Sequence, residues 1–295
     1  MANPRSFQAT LQNNMSMSDK EWHYNIPKLP SAADTNAAKL IKSISFVSSA
    51  KEQHVKLRFE SAPSNRVTWT EPLHCFVLLL VANFRLREPA QPNDDKVVLA
   101  SSRDSGEYIT RMLQTGIVLN GVQYRFFGHS NSQLKSRSCF MFAATPDQIS
   151  AKVEAMGDFS KMKTVAKKAK RIGLLFSSAE MATTLEPDRI EDIDDITADD
   201  YIFTDGCGLI SQQLAKLVVQ RKNIVFRNRR YLPSIFQIRY RGYKGVLTLE
   251  PKLQGKVQAQ FRQSMKKFTA YGDLTLSIVD YAKVSPTSVL TTDSN

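Results

Sequence analysis

The sequence predicts an α+β fold, because helical and strand periodicities both run through its 295 residues. Residues 104–119 carry apolar side chains at helical spacing. Residues 75–86 and 122–127 are short apolar or alternating runs of the kind found in strands. From residue 201 onward the pattern becomes strand, turn, helix, turn, strand and strand. Helices and strands therefore follow one another in mixed order.

The first 59 residues have the weakest pattern and are predicted to form an N-terminal segment that is poorly ordered or peripheral. Residues 1–40 are rich in Asn, Ser, Ala and Pro. Residues 43–59 alternate loosely, which predicts one or two strands. Further along, residues 88–95 contain two prolines and two aspartates, so they predict a loop.

Residues 60–185 are predicted to be a mixed α/β region. The helix over residues 104–119 has Asp104 or Ser105 as its candidate N-cap, and Asn120-Gly121 marks the turn that follows it. Strands over residues 122–127 and 139–144 flank a polar loop. His129 begins that loop, but nothing places a carboxylate and a nucleophile beside it to form a catalytic triad.

A second helix is predicted to begin at Thr145 and Pro146, with Thr145 as its cap and Pro146 at its first position. It extends to about residue 171, with Gly157 as a candidate break. The second half of this helix is rich in lysine, which is typical of a solvated surface or of one that faces RNA.

The composition points to a basic protein of a reducing compartment. The formal net charge is +12 and the pI is near 9.6, which favours nucleic acid, acidic lipid or an acidic partner. The three cysteines are far apart and odd in number, so a disulfide framework is not expected. The N-terminus lacks the apolar stretch of a signal peptide, and no apolar run is long enough to span a bilayer. We therefore expect a protein of the nucleus or cytoplasm, neither secreted nor membrane-bound.

Charge is divided sharply along the C-terminal third. Residues 186–205 contain nine Asp or Glu and one Arg, whereas residues 216–244 contain nine Lys or Arg and no acid. The first part of this stretch, residues 186–200, lacks the spacing of an EF-hand and is predicted to be an exposed acidic linker that covers a basic surface. The basic block predicts contact with a polyanion.

A glycine-rich motif, FTDGCGLIS, occupies residues 203–211. Gly206 and Gly208 permit a positive φ or close approach of another backbone, and Asp205 can accept backbone N–H groups or reach a cation. The motif is either a plain turn or a strand-to-helix turn that binds phosphate. It is not a P-loop, because the terminal Gly-Lys-Ser/Thr is missing.

Residues 236–247, FQIRYRGYKGVL, predict a strand pair bent at Gly242. Strand alternation directs Phe236, Ile238 and Tyr240 to one face, and Gln237, Arg239 and Arg241 to the other. The pair is either a solvated basic hairpin or a phosphate-binding surface. In the second interpretation Arg239, Arg241 and Lys244 bind phosphates, and Tyr240 or Tyr243 stacks on a base or ribose.

Residues 261–268, FRQSMKKF, supply a further basic group. Read as one turn of helix, they place Arg262 near Lys266 and Ser264 near Lys267. Two cations one turn apart repel each other, so an anion nearby would be favourable. A solvated surface is the alternative.

The order FTDGCGLIS, FQIRYRGYKG and RQSMKKF resembles the cellular RNA-dependent RNA polymerases of RNA silencing, with the fungal branch the nearest. The resemblance covers about residues 60–280, and it includes upstream segments at residues 64–67, 116–127, 129–135 and 169–180. It implies two double-psi β-barrels, as in multisubunit transcription polymerases. The chain is then a helical linker region plus part of the first barrel. Residues 201–285 would form that part, after the acidic linker and before a disordered tail at residues 286–295.

The same resemblance implies the roles of the basic residues. Lys244 matches the lysine of GYKG, and Lys267 matches the basic position of the SMKKF segment, so both are expected to contact phosphate. Arg239, Arg241 and Arg262 support them, while Gly242 and Gly245, with Asp205, Gly206 and Gly208, shape the turns. The partners implied are a single-stranded RNA template and nucleoside triphosphates, copied into double-stranded RNA in small-interfering-RNA pathways.

The sequence departs from the family at the catalytic metal site. The complete enzyme is expected to bind Mg²⁺ through an Asp-x-Asp-Gly-Asp loop, and these 295 residues contain no such motif. The chain is therefore predicted to be a truncated polymerase with no catalytic or metal-binding residue of its own, inactive in isolation. Two alternatives remain: a catalytically silent RNA-binding module, and a basic protein that docks an acidic partner.

Overall fold

The structure is a computed structural model that describes residues 39–48, 53–81, 84–86 and 98–283. The chain divides into two compact units: residues 1–154 with 162–177, and residues 155–161 with 178–295. Each unit is built around its own β-sheet. The predicted loop at residues 88–95, most of residues 1–40 and the predicted tail at residues 286–295 lie outside the described residues.

A six-stranded mixed sheet forms the first unit, in the order β2-β1-β3-β6-β5-β4. Its strands are β1 (Leu40–Ser48), β2 (Gln53–Ser61), β3 (Phe76–Leu80), β4 (Ile117–Leu119), β5 (Val122–Gly128) and β6 (Ser138–Phe142). The helices in this part of the chain are α1 (Arg66–Thr70), a 3₁₀ turn (Leu73–Cys75), α2 (Ser102–Thr115), α3 (Asn131–Lys135), α4 (Pro146–Met156) and α5 (Val165–Ile172).

Strand β1 corrects the prediction of a peripheral N-terminal segment. It pairs antiparallel with β2 and parallel with β3, so it is an interior strand of the sheet. Ile41, Ile44 and Phe46 are buried in it. The loose alternation of residues 43–59 was a true strand signal, and the burial of these apolar side chains stabilises the pairing.

Capping residues decide where the helices begin. Ser101 accepts the backbone N–H of Asp104 at 3.1 Å, so α2 begins before the predicted caps and ends before Ile117, which lies in β4. Ser130 caps α3, which lies inside the predicted polar loop. Thr145 accepts the N–H of Gln148 at 3.3 Å, which confirms the predicted start of α4. That helix ends one residue before Gly157.

A seven-stranded mixed sheet forms the second unit, in the order β7-β17-β14-β15-β11-β16-β8. Its strands are β7 (Glu180–Thr184), β8 (Ile190–Ile193), β11 (Cys207–Ser211), β14 (Ile235–Tyr240), β15 (Tyr243–Glu250), β16 (Ala259–Arg262) and β17 (Thr275–Tyr281). Two small hairpins accompany it: β9 (Thr197–Ala198) with β10 (Tyr201–Ile202), and β12 (Val225–Phe226) with β13 (Arg229–Arg230). The remaining elements are α6 (Gln212–Arg221) and the 3₁₀ turns Pro187–Arg189 and Gln263–Met265. The α+β prediction is confirmed.

The core of the second unit lies between one face of this sheet and α6. Phe236, Ile238 and Tyr240 are buried there, which confirms the predicted alternation of β14. Ser211 is the N-cap of helix α6 and accepts the N–H of Leu214 at 3.2 Å. The helix packs its apolar stripe into the same core. None of the described helices is both long enough and apolar enough to cross a membrane.

The acidic segment differs from the predicted linker. Its residues 190–193 form β8, the edge strand that pairs in parallel with β16. Glu191 accepts a hydrogen bond from Gln260 at 2.6 Å, and Asp192 accepts one from Tyr243 at 2.6 Å. These long-range partners give the carboxylates structural roles that charge patterning could not indicate.

Candidate nucleic-acid interface

Two cations face each other on the side of the sheet that points away from the core. Arg239 of β14 and Lys244 of β15 are directly paired across the two strands. Their neighbours in the ladder, Ile238 and Tyr240, point to the opposite face and are buried. Like charges directly opposite each other repel, and this repulsion disfavours the strand pair.

The guanidinium of Arg239 is incompletely satisfied. Its Nη1 donates to the carbonyl of Ile238 at 2.9 Å, but its buried Nε has no hydrogen-bond partner among the described residues. Burial lowers the pKa of Arg239, because the charged form is partly removed from water. A buried donor without a partner carries a desolvation cost that an incoming acceptor could relieve.

Close backbone contacts hold the glycine turns together. Gly206 accepts the N–H of Val246 at 2.9 Å, and a Cβ on Gly245 would lie only 2.0 Å from the same Gly206 oxygen. Gly242 has a φ of +87°, and a Cβ there would lie 2.0 Å from the carbonyl oxygen of Phe268. These two positions therefore need glycine because another backbone passes against them.

The two lysines expected to bind phosphate lie on neighbouring backbone segments. The N–H of Lys267 donates to Gly242 at 2.9 Å, and Tyr243 forms a β-bridge with Lys266. The ammonium group of Lys267 also donates to the carbonyl of Ser264. Both Lys244 and Lys267 are half-buried. The structure thus joins the second and third motifs, whose lysines Lys244 and Lys267 are 23 positions apart in the sequence.

Asp195 connects the first motif to the third, a role that no local sequence pattern indicates because Asp195 and Ser264 are 69 positions apart. Its carboxylate accepts the N–H of Ser264 at 2.9 Å, the hydroxyl of Ser264 at 2.7 Å and the hydroxyl of Thr204 at 3.0 Å. Ser264 in turn accepts the N–H of Gly206 at 3.0 Å. Burial acts to raise the pKa of Asp195, but the hydrogen bonds from Ser264 and Thr204 outweigh it and hold the pKa below its ordinary value.

Arg262 has a different environment from the predicted helix turn. It ends strand β16 and is 8% exposed. Its Nε donates to the carbonyl of Asp194 at 3.1 Å, and its Nη1 donates to the carbonyl of Cys207 at 2.8 Å. Its guanidinium therefore joins the end of β16 to the backbone at Asp194 and Cys207.

The two tyrosines predicted to stack on a base are instead part of the core. Tyr240 is 1% exposed and donates to the carbonyl of Leu185 at 2.7 Å, whereas Tyr243 is 5% exposed and donates to Asp192. Burial, followed by the hydrogen bond to Asp192, raises the pKa of Tyr243. The prediction failed because Tyr240 and Tyr243 share the core face of the sheet with Phe261, on which both rings pack.

The remaining predicted residues lie around these contacts. Asp205 is exposed in the turn, and Arg241 is half-buried with a φ of +41°. Gly208 lies within β11, where a Cβ would be 2.4 Å from the carbonyl oxygen of Gln260. Strand β11 separates the glycine turn from α6, so the turn is not a phosphate-binding helix start.

The described residues do not fit a Mg²⁺ site. Within residues 39–48, 53–81, 84–86 and 98–283, no three His, Cys, Asp or Glu side chains converge in a way that could hold a metal ion. Asp195, a carboxylate that contacts the third motif, is occupied by hydrogen bonds from Ser264 and Thr204.

A family model described as RNA dependent RNA polymerase matches residues 59–293. The chain therefore belongs to the RNA-dependent RNA polymerase family. It is 35% identical over 180 residues to "Probable RNA-dependent RNA polymerase 1" of Oryza sativa subsp. japonica, covering 60% of this chain and 23% of that protein. It is 36% identical over 183 residues to "RNA-dependent RNA polymerase 1" of Arabidopsis thaliana, covering 60% of this chain and 16% of that protein.

A fungal relative and a solved structure agree with these matches. The chain is 35% identical over 183 residues to "RNA-dependent RNA polymerase 1" of Schizosaccharomyces pombe, covering 60% of this chain and 14% of that protein. The fold matches "RNA dependent RNA polymerase QDE-1 from Thielavia terrestris" with a TM-score of 0.62 at 18% identity, covering 96% of this chain and 34% of that one. The seven-stranded sheet is consistent with part of a double-psi β-barrel. The chain spans less than a quarter of the length of these curated relatives.

Proposed function

We propose that this chain supplies a phosphate-binding surface of an RNA-dependent RNA polymerase that copies single-stranded RNA. Lys244, Lys267, Arg239 and Arg241 contact the phosphates of the template or of the incoming nucleoside triphosphate. Arg262 supports them indirectly, because its hydrogen bonds to the carbonyls of Asp194 and Cys207 fix the end of β16 against β11, and β11 pairs with the strand that carries Lys244. The family membership of the chain supports this assignment. A nuclear or cytoplasmic location stays a prediction from the sequence.

The observation that carries the proposal is the pairing of Arg239 with Lys244. Two like charges are held opposite each other, and one of them has a buried N–H donor without a partner among the described residues. The repulsion and the unpaired donor each lower the stability of the folded chain. A phosphate between or beside the two side chains would offset the repulsion and accept a hydrogen bond from the Nε of Arg239.

The chemistry required of these residues is charge neutralisation. A phosphodiester or triphosphate brings negative charge into a partly desolvated site, where fixed cations interact with it more strongly than they would in water. Lysine acts as a compact point charge that tolerates movement of the phosphate, while arginine supplies directed N–H donors. Lys244 and Arg239 together therefore provide both attraction and orientation.

The proposal is tested by binding of a fluorescently labelled single-stranded RNA to the 295-residue chain, followed by anisotropy over a range of salt concentrations. Lys244→Glu should weaken binding about tenfold or more. Lys244→Gln should lower the slope of log affinity against log salt by about 0.7, the value for one lost phosphate contact on a single strand.

Lys252→Glu is the matched control, because Lys252 is an exposed lysine just beyond the far end of the same strand and the charge change is identical. It should reduce affinity much less than Lys244→Glu. The proposal is wrong if the wild-type chain does not bind RNA, or if the two charge reversals have equal effects.

A further inference from the structure

The second unit carries an exposed pair of aromatic side chains on a small hairpin. Strands β9 and β10 form this hairpin, and Tyr201 and Phe203 are 65% and 63% exposed. The two rings pack edge to face, with their centroids 4.9 Å apart. Aromatic side chains contribute most when they are buried, so two that remain exposed side by side indicate a surface that binds something.

The pairing register places these rings on one face of the hairpin. Tyr201 pairs with Ala198 and Ile202 pairs with Thr197, while the N–H of Phe203 donates to the carbonyl of Ile196 at 2.9 Å. Because side chains alternate along a strand, Tyr201 and Phe203 share a face with Ile196, and Ile202 points to the other face. We call Ile196, Tyr201 and Phe203 the aromatic face.

Hydrogen bonds connect the hairpin to the two segments that carry Lys244 and Lys267, which we call the cationic segments. Thr204, the residue after Phe203, bonds to Asp195, and Asp195 bonds to Ser264, whose carbonyl accepts the ammonium group of Lys267. Gly206 accepts the N–H of Val246, two residues after Lys244. Three peptide units separate Phe203 from Gly206, a reach of at most about 11 Å between their Cα atoms.

We propose that Tyr201 and Phe203 are a stacking platform for an unpaired base of the RNA strand whose phosphates contact Lys244 and Lys267. This inference rests on the function proposed above. The aromatic face contains no Lys or Arg, so it suits the uncharged face of a base while the neighbouring segments hold the phosphates. Tyr201 and Phe203 thus have the base-stacking role that the sequence predicted for Tyr240 or Tyr243, which are buried.

The negative charge at the tip of the hairpin disfavours some classes of ligand. Asp199 and Asp200 are exposed at the turn between β9 and β10, and Asp199 has a φ of +52°. Two exposed carboxylates disfavour an anionic lipid surface or a phosphate at this end. A base stacked on the rings leaves its own phosphates free to lie toward the cationic segments, so a nucleic-acid strand satisfies both surfaces at once.

The test uses single-stranded RNA that contains 2-aminopurine, whose fluorescence is quenched when the base stacks. The double variant Tyr201→Leu/Phe203→Leu keeps apolar bulk but removes both rings. It should weaken binding at least fivefold, within the range of about 5- to 150-fold expected for one lost base stack. It should also abolish the quenching that wild type causes, and it should leave the salt slope unchanged because no phosphate contact is lost.

Ile202→Ala is the matched control, since it changes the same hairpin on its opposite face, and it should alter affinity less than twofold. Tyr201→Phe should preserve quenching because the ring remains. Ultraviolet cross-linking of 5-iodouridine RNA to the wild-type chain, with the attached peptides identified by mass spectrometry, should label residues 201–203. This measurement needs no variant and remains decisive if the double variant does not fold.

Normal affinity and quenching in a folded double variant would overturn the inference, and so would cross-links only outside the hairpin. A salt slope that falls as it does for Lys244→Gln would also overturn it, because the rings would then act through phosphate contacts. If wild type binds RNA while any of these results holds, the platform alone is wrong. If wild type does not bind RNA, the proposed function fails with it.

Discussion

Arg239 lies directly opposite Lys244 across two antiparallel strands, on the face of the sheet that points away from the hydrophobic core. The pair places two positive charges together, and the Nε of Arg239 is buried without a hydrogen-bond partner among the described residues. Such a pair lowers the stability of the sheet, and in the function proposed above it binds a phosphate. Stability and binding should therefore respond in opposite directions when it is changed.

Replacing Arg239 with Met removes the guanidinium while keeping most of the aliphatic stem. We expect the free energy of unfolding to be unchanged or to rise by up to about 1 kcal/mol, because the repulsion and the unpaired donor are lost together. RNA affinity should fall in the same variant. Urea unfolding and anisotropy measured on one preparation check both effects, and a clear loss of stability would show that the guanidinium contributes to folding.

Replacing Gly245 with Ala should disturb the contact between the first and second motifs. The new Cβ would lie 2.0 Å from the carbonyl oxygen of Gly206, so one backbone must move. We expect a loss of about 1–3 kcal/mol in the free energy of unfolding, the usual range for overpacking. RNA affinity should fall too, since Lys244 precedes this glycine.

Gly255→Ala is the control for that substitution. Gly255 belongs to the same unit and has a φ of +88°, but a Cβ there would have open space around it. Its cost should be about 1 kcal/mol, from backbone strain alone, and RNA affinity should not change. Equal effects of the two substitutions on RNA affinity would contradict the role given to the Gly206–Gly245 contact.

Removing the carboxylate of Asp195 should loosen three segments at once. Asp195→Ala leaves the N–H of Ser264 and the hydroxyl groups of Ser264 and Thr204 without their acceptor. The expected loss is about 1–3 kcal/mol in the free energy of unfolding. A double-mutant cycle with Ser264→Ala should show coupling between the two sites, and additive losses would mean that the network contributes little.

The same carboxylate predicts a pH dependence of stability. The pKa of Asp195 is lower in the folded chain than its ordinary value, so its contribution is fully present above about pH 4, near the ordinary pKa. The contribution is lost as the pH falls through the lower folded value, because the protonated acid no longer accepts the same hydrogen bonds. Unfolding measured between pH 7 and pH 2 should show a smaller acid-dependent loss in Asp195→Asn than in wild type.

Tyr243→Phe should affect the stability of the chain but not its affinity for RNA. Tyr243 is one of the two tyrosines that the sequence predicted to stack on a base. The variant loses the hydrogen bond to Asp192 but keeps the buried ring and the nearby ammonium group of Lys266, which lies 5.4 Å from the ring centroid. We expect a loss of about 0.5–2 kcal/mol in the free energy of unfolding and no change in RNA affinity. Weaker RNA binding in a fully folded variant would indicate that Tyr243 contacts RNA directly.

Local pattern predicted much of the sheet architecture. The alternation of Phe236, Ile238 and Tyr240 is a property of the strand itself, so it correctly assigned the core face and left Arg239 on the other. The N-cap at Thr145 could also be predicted from the sequence, because it depends only on the Thr145 side chain and the backbone N–H three residues later. The three motifs also predicted the family, which the match over residues 59–293 confirms.

Tertiary structure decided which polar residues remain available to a ligand. Tyr243 and its acceptor Asp192 are 51 positions apart, and Asp195 and Ser264 are 69 positions apart, so no local period relates them. The charge pattern therefore predicted a linker where residues 190–193 form an edge strand. Hydrophobic alternation likewise could not distinguish the buried Tyr243 from the exposed Tyr201. Residue type and spacing determine what a short segment can form, but burial depends on which distant segment packs against it.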